Sequence, residues 1–425
     1  MINKLLNVIK KPRRRSLSPF CENIFEGDKN AMIARQIILN DLNAVLDGGG
    51  ISCTSRNRVH AVIVGSDDLM LSLAKQIALV SHYPNFDDET GCNRTKITII
   101  DTAADDDILV AEVVDRVNNK LGNLMCEALW RAGLAGKNGF ITLKCSTRQQ
   151  SFIDIELEIV GLKGVDADQY VRTFMNAPSN ELITLLCRTD VLSADTVKLL
   201  SERINRVEIV DESRYVDSID FNSVDMRMAR MVNMVYVTGS SLKDIPLVDL
   251  YKVNAYNNTL SKLLSSTAEE LITREWECID ASNKEYPSYA RDIKLSNLFC
   301  ADSFPTKIRS IKIDCKNVDK NSFKKALADN IEKYSKCEHA RWNVEKLILG
   351  YRPLGPQESY RCEYLFGSDL ARECSRLKKG ASKMHFDLCS MRRLMQIDPE
   401  SFKYDCFLTL CCDDIYKLSG DDIFE

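Results

Sequence analysis

The chain has 425 residues, 45% hydrophobic and 28% charged, with a net charge of −4. That length predicts two or three domains, and that charge excludes a bulk pull toward nucleic acid or anionic lipid. No apolar run nears the roughly 20 residues of a membrane span.

No secretory leader is visible. The sixteen cysteines form no C-x-x-C pair. They read as reduced thiols used as small apolar residues, with no metal site expected. A cytoplasmic globular protein follows.

Residues 1–30 carry a basic run at 10–15 (KKPRRR). Two readings stand: a membrane-surface or partner-binding arm, and a solvated tail, which is favoured because nothing amphipathic flanks the run. Residues 31–46 read as a helix through Ile33, Ile37, Ile38, Leu42, Val45 and Leu46, stopped at Asp47-Gly48-Gly49-Gly50. From Arg58 strands and helices alternate. His60 to Gly65 is a continuous apolar run, as in a strand covered on both faces. A helix follows on Leu69, Leu73, Ile77 and Val80, then a buried strand from Lys96 to Asp101. Further strands are expected over 152–160, 182–187 and 207–210, with a helix over 191–204. This alternation predicts a mainly parallel sheet with helices on both faces. After about Val237 the strand signal fades, and 248–275, 285–300 and most of the last hundred residues look helical.

Strand, glycine turn, helix and a second strand ending in Asp is the layout of a dinucleotide-binding half. That chemistry needs three glycines, and here only Gly65 stands; Asp67 and Met70 hold the other two places. Asp67 and Asp68 complement the helix N-terminus themselves and compete there with a phosphate. NAD in the usual pose is therefore not expected, and no cofactor is assigned. Asp101 stays open between a ribose-hydroxyl ligand and a cap for the next turn. Gly65 and Asp101 are the two positions a nucleotide could use.

The segments HAVIVG, LAKQIALVSHY and TKITIID, over roughly 58–110, resemble the potassium-transport regulatory domains of the TrkA/RCK type. That resemblance implies a Rossmann-like fold that binds a nucleotide and pairs into homodimers, which light scattering can check.

Near the C-terminus, 331–349 carries a helical apolar stripe with Glu338, Arg341, Trp342 and Glu345 on an adjoining stripe. A Glu/Arg pair beside a Trp face can hold a flat charged ligand; from spacing alone, a structural ion pair under a packed Trp is favoured. E-H-A-R-W-N (338–343) followed by G-Y-R-P (350–353) resembles the core helix of the ryanodine-receptor repeat (RyR) domain. A second block, K-M-H-F-D-L (383–388), Met391 to Leu394 and F-K-Y-D (402–405), agrees, so the match covers roughly 320–410. A third, Ser296-Asn297, Ala301-Asp302 and Lys307-Ile308-Arg309, resembles the segment before RyR domains in bacterial proteins that join them to a TrkA-like domain. In such proteins 228–237 would be the helix closing the α/β domain.

The expected architecture is a tail and helix over 1–56, a Rossmann-like domain over 57–240, a helical connector over 241–315 and a mainly α-helical RyR domain over 316–425. No catalytic set emerges, and the resemblance implies a non-enzymatic sensor or adaptor, associated with signalling or phage defence. Its ligand would be small, charged and nucleotide-derived, held by Glu338, Arg341, Trp342, Tyr351 and Arg352. The alternative is a soluble nucleotide-binding subunit of an ion-transport system; a nucleotide-consuming enzyme is disfavoured.

Overall fold

A computed structural model describes residues 21–221, 223–239, 268–315, 317, 319–420 and 423. The basic run at 10–15 and most of the helix expected over 248–275 lie outside these residues.

The sheet comprises β1 (Arg58–Val64), β2 (Thr95–Asp101), β3 (Leu129–Gly136), β4 (Gly139–Cys145), β5 (Ile155–Lys163), β6 (Glu181–Arg188) and β7 (Arg206–Val210). Its order is β4-β3-β5-β2-β1-β6-β7. Every pairing is parallel except β3 with β4. The five expected strands form, with ends shifted by a few residues. The β3–β4 hairpin is an addition, and it turns one edge antiparallel.

Strands β1 and β2 are buried at six of seven positions each because both faces are covered, and apolar residues predominate at their centres. Ala61, Ile63, Ile97, Ile99 and Ile159 pack into one core, which the helices α1 (Lys29–Gln36), α2 (Asp68–Val80) and α3 (Asp107–Leu121) share. Val62, Val64, Ile100, Val160 and Leu185 form a second core on the opposite face.

The helical half begins with α4 (Arg227–Gly239), where the closing helix is expected. Ala268–Ala281 is helical, and then come α5 (Pro287–Asp314), α6 (Ile331–Ile348), α7 (Gly367–Lys379), α8 (Met391–Ile397) and α9 (Pro399–Tyr416). Two short strands, β8 (Arg352–Pro353) and β9 (Met384–His385), pair in parallel. No helix among the described residues is long and apolar enough to cross a membrane.

The two halves share a core: Val344, Leu347, Ile348 and Tyr351 of the helical half belong to the same cluster as Leu73 and Ile97. Polar contacts fix the docking. Asn123 donates from its backbone to Leu347 O at 2.8 Å and from its side chain to Gly350 O at 2.6 Å and Tyr351 O at 2.9 Å. It thereby ties the last turn of α6 and the residues just past it to the α/β half. Gly122 makes that approach feasible: its φ is +60°, and a Cβ would stand 2.6 Å from Ile348 O. The N-terminal segment straps across as well, through Arg35 on Asp302 (2.6 Å) and Arg309 on Asp47 (2.6 Å).

Candidate functional site

Because β2 and β6 flank β1 on opposite sides, a crevice opens at the C-terminal ends of β1 and β6, where open α/β sheets take ligands. Here the protein's own side chains fill it. Asp67 caps α2, accepting from the backbone N–H of Leu69 (3.0 Å) and Met70 (3.2 Å). Arg188, at the end of β6, reaches back to Asp67 at 3.1 Å. Asp68 pairs with Lys120 at 2.9 Å. Asp101 accepts from Ala103 N (2.8 Å), Ala104 N (3.1 Å), Arg116 Nη2 (2.9 Å) and the Ser66 hydroxyl. So Asp101 caps its turn, and Gly65 leads into a helix N-terminus already occupied by a carboxylate. Calorimetric titration with NAD should therefore give no saturable micromolar binding; a micromolar Kd weakened by Arg116→Ala would put a nucleotide in the crevice after all.

The helical half holds a cavity of about 310 Å³. It is bounded by α4, α5, α6, α8 and α9, together with the end of α7 and the β9 turn. Helix α6 faces two ways. Glu338, Arg341 and Glu345, at spacings of three and four, turn from the cavity into the protein and are each no more than 1% exposed. Glu338 takes Lys307 Nζ at 2.6 Å, Arg341 Nε at 2.9 Å and the Cys300 thiol at 3.5 Å, while Arg341 also pairs with Glu345. Burial disfavours the Glu338 charge, but Arg341 and Lys307 outweigh it and lower its pKa to about 2.

One step around the helix, His339, Trp342 and Lys346 repeat the same spacing and line the cavity. The His339 and Trp342 rings stack with centroids 5.8 Å apart, and His385 meets Trp342 edge-on at 4.8 Å. Lys346 sits 5.6 Å over the Trp342 ring and donates to Ser296 at 3.0 Å. His339 Nε2 faces the Cys389 carbonyl at 2.9 Å and Nδ1 faces Asp405 at 3.2 Å. Both ring nitrogens thus stand close to acceptors, an arrangement that favours the imidazolium. Burial opposes that charge, yet the acceptors win and raise the pKa to about 10. His385 is the reverse case. Burial and the charges of Lys378, Lys346 and His339 push it well below the ordinary imidazole range. Its Nδ1 accepts from Asp387 N at 3.3 Å, so the proton sits on Nε2. Burial, with Asp398 nearby, pushes the Asp387 carboxyl up to about 6.

Of the five residues the sequence nominated, Trp342 alone lines the cavity. Glu338 and Arg341 are the buried ion pair that the spacing also allowed. Tyr351 is buried with its hydroxyl on Asp292 at 3.0 Å. Arg352 is exposed on β8, its backbone N–H donating to Lys383 O at 3.0 Å. The spacing did not single out Asn297, Lys346, Lys378, His385 or Asp405 as ligand contacts, although Asn297, His385 and Asp405 fall inside the resembling blocks. Among the described residues, no group of three His, Cys, Asp or Glu side chains could hold a metal ion. Comparisons with protein-family models, with curated proteins and with solved structures return no match.

Proposed function

We propose that the protein is a non-enzymatic sensor whose helical half binds a small, charged, nucleotide-derived ligand in the cavity beside Trp342. One observation carries the reading. Ser296-Asn297, His339 with Trp342, His385 with Asp387, and Tyr404-Asp405 are distant in sequence but line one cavity. They are drawn from the three blocks that resemble the RyR domain and the segment preceding it.

The chemistry of the walls agrees. Trp342, Tyr236 and Tyr404 bring aromatic rings to the lining. Lys346 and Lys378 bring positive charge, and Lys378 makes no hydrogen bond or ion pair among the described residues. A volume of about 310 Å³ lies at the lower end of ligand pockets, roughly 300–1,000 Å³. It suits a mononucleotide better than a dinucleotide. The α/β half, Rossmann-like in strand order, would then serve as the rigid partner on which α6 is seated, its own crevice closed.

Calorimetry with nucleoside 5′-monophosphates tests this. At least one should bind in the micromolar range, and Lys378→Ala should weaken it roughly 10-fold or more, the usual loss for a charged hydrogen bond. Binding untouched by both Lys378→Ala and Trp342→Phe would put the ligand elsewhere. Turnover of the bound nucleotide would replace the sensor with an enzyme.

A further inference from the structure

Asp387 is the wall carboxylate that the protein leaves short of donors. It follows β9, lines the cavity, and keeps 18% of its side chain accessible. A carboxylate can accept about four hydrogen bonds across its two oxygens. Among the described residues Asp387 is offered a single donor, the Ser401 hydroxyl at 3.3 Å from Oδ2, and that hydroxyl stands closer to Asp398 at 2.9 Å. His385 Nδ1 lies 3.9 Å from the same oxygen, but it already accepts from the Asp387 N–H and brings no proton. No lysine or arginine of the described residues pairs with this carboxylate, and its Oδ1 is not sealed from solvent as Asp405 Oδ2 is. The neighbouring acids differ. Asp405 has His339 at 3.2 Å, and Asp101 in the crevice accepts from Ala103, Ala104, Arg116 and Ser66.

The charges around Asp387 select what can satisfy it. Lys378, Lys346 and the His339 imidazolium share the wall and repel a cationic donor. The carboxylate itself repels an anion. A neutral O–H or N–H remains. Lys378 is near enough to act on the Asp387 carboxyl, so an anion held by Lys378 and a donor met by Asp387 lie close together on one small ligand. In a nucleoside monophosphate the neutral donors nearest the phosphate are the ribose hydroxyls, and the base N–H groups lie beyond the sugar. A carboxylate is a common partner for a ribose hydroxyl.

We propose that Asp387 is a specificity-determining residue of this cavity, accepting a hydrogen bond from a ribose hydroxyl and so selecting ribonucleotides over their deoxy counterparts. This rests on the reading that the cavity takes a nucleotide-derived ligand.

The test is calorimetry on the full-length protein with AMP, GMP, CMP and UMP, then with the 2′-deoxy and 3′-deoxy forms of whichever binds most tightly. Thermal melts check the fold of each variant. At about pH 7.5, wild type should prefer the ribonucleotide over at least one deoxy form by roughly 10-fold or more, the usual loss for a hydrogen bond to a charged group. Asp387→Ala should cut that margin to about threefold or less, with the deoxy form bound at least as well as by wild type because a repulsive charge has gone. A pH arm in wild type needs no variant. Burial, with Asp398 nearby, pushes the Asp387 carboxyl up to about 6. The margin should therefore be full at about pH 7.5 and shrink by about pH 5, where the carboxylate has taken up a proton. The phosphate titrates alike in both ligands and cancels in the ratio. The groups facing Asp387 are Lys378 on α7, His339 on α6, His385 on β9, and Asp398 and Ser401 at the start of α9. Equal binding of ribo and deoxy forms, a margin that survives Asp387→Ala, or a margin constant across that pH range overturns the assignment and leaves the sensor reading standing. Should Asp387→Ala fail to fold, the pH arm decides. If none of the four ribonucleotides binds, the ligand reading itself fails and takes this inference with it.

Discussion

Replacing Glu338 with alanine should destabilise the protein by about 3–5 kcal/mol, the usual consequence of removing one partner from a buried ion pair. The Glu338 side chain is 0% exposed and meets two cations, Lys307 at 2.6 Å from α5 and Arg341 at 2.8 Å on its own helix. Glu345 still pairs with Arg341, but Lys307 is left at 3% side-chain exposure with no other carboxylate in its ion pairs among the described residues. Glu338→Gln separates charge from shape: it keeps the volume and one acceptor and should lose a smaller but still measurable amount. Urea denaturation reads both effects. The contrast with ligand binding is the informative part. A group that contacts ligand would lose affinity with little loss of stability. For Glu338 the opposite is expected, a lower midpoint with nucleotide affinity of the folded protein within about threefold of wild type. A Glu338→Gln protein as stable as wild type and unable to bind would return this residue to the cavity.

What could be read from the chain divides along physical lines. The central strands were legible because a strand buried on both faces writes itself as a mainly apolar run, as in residues 59–64 and 97–100, interrupted only by His60 and Thr98. The β3–β4 hairpin was not. Leu129–Gly136 is rich in alanine and glycine, and most of Gly139–Cys145 is exposed, so neither shows the buried-strand pattern. Its one local cue is Asn138-Gly139, a common hairpin turn pair.

The crevice was legible for the same local reason: the residue that caps α2 follows two positions after Gly65, so the chain itself displays the carboxylate that occupies the helix N-terminus. The cavity was not legible from spacing. On α6, 338/341/345 and 339/342/346 have identical periodicity and similar polarity. Which stripe faces a ligand is decided by α5, since Lys307 and Cys300 claim Glu338 from about thirty to forty residues away. Helical periodicity groups residues onto a face but carries no information about what covers that face. Asn297, His385 and Asp405 fall inside the resembling blocks, but nothing in those blocks set them beside the helix at 331–349.

Raising the pH from 7 toward 10 should lower thermal stability, and His339→Gln should flatten that slope. His339 is raised from the ordinary imidazole value to about 10, so in the folded protein it holds its proton long after an unfolded histidine has released it. A group of this sign contributes stability that is fully present below about 6.5 and is lost as pH climbs through the folded value. Between those limits the loss is at most about 1.4 kcal/mol per pH unit, enough to move Tm by a few degrees in total. The groups around it are the Asp405 carboxylate on α9, the Cys389 carbonyl before α8, the neutral His385, and Trp342 with Lys346 on its own helix. Thiols near the same helices do not mimic the effect, since burial pushes Cys406 and Cys412 up to about 12, beyond the window. Differential scanning fluorimetry of wild type and His339→Gln at half-unit steps isolates the histidine, because every other titrating group is common to both. Glutamine can still donate one hydrogen bond but carries no titrating charge, so the variant should be less stable at pH 7 and approach wild type by pH 10. Parallel curves for the two proteins would mean that His339 is neutral in the fold, and Asp405 would then lie beside an uncharged ring.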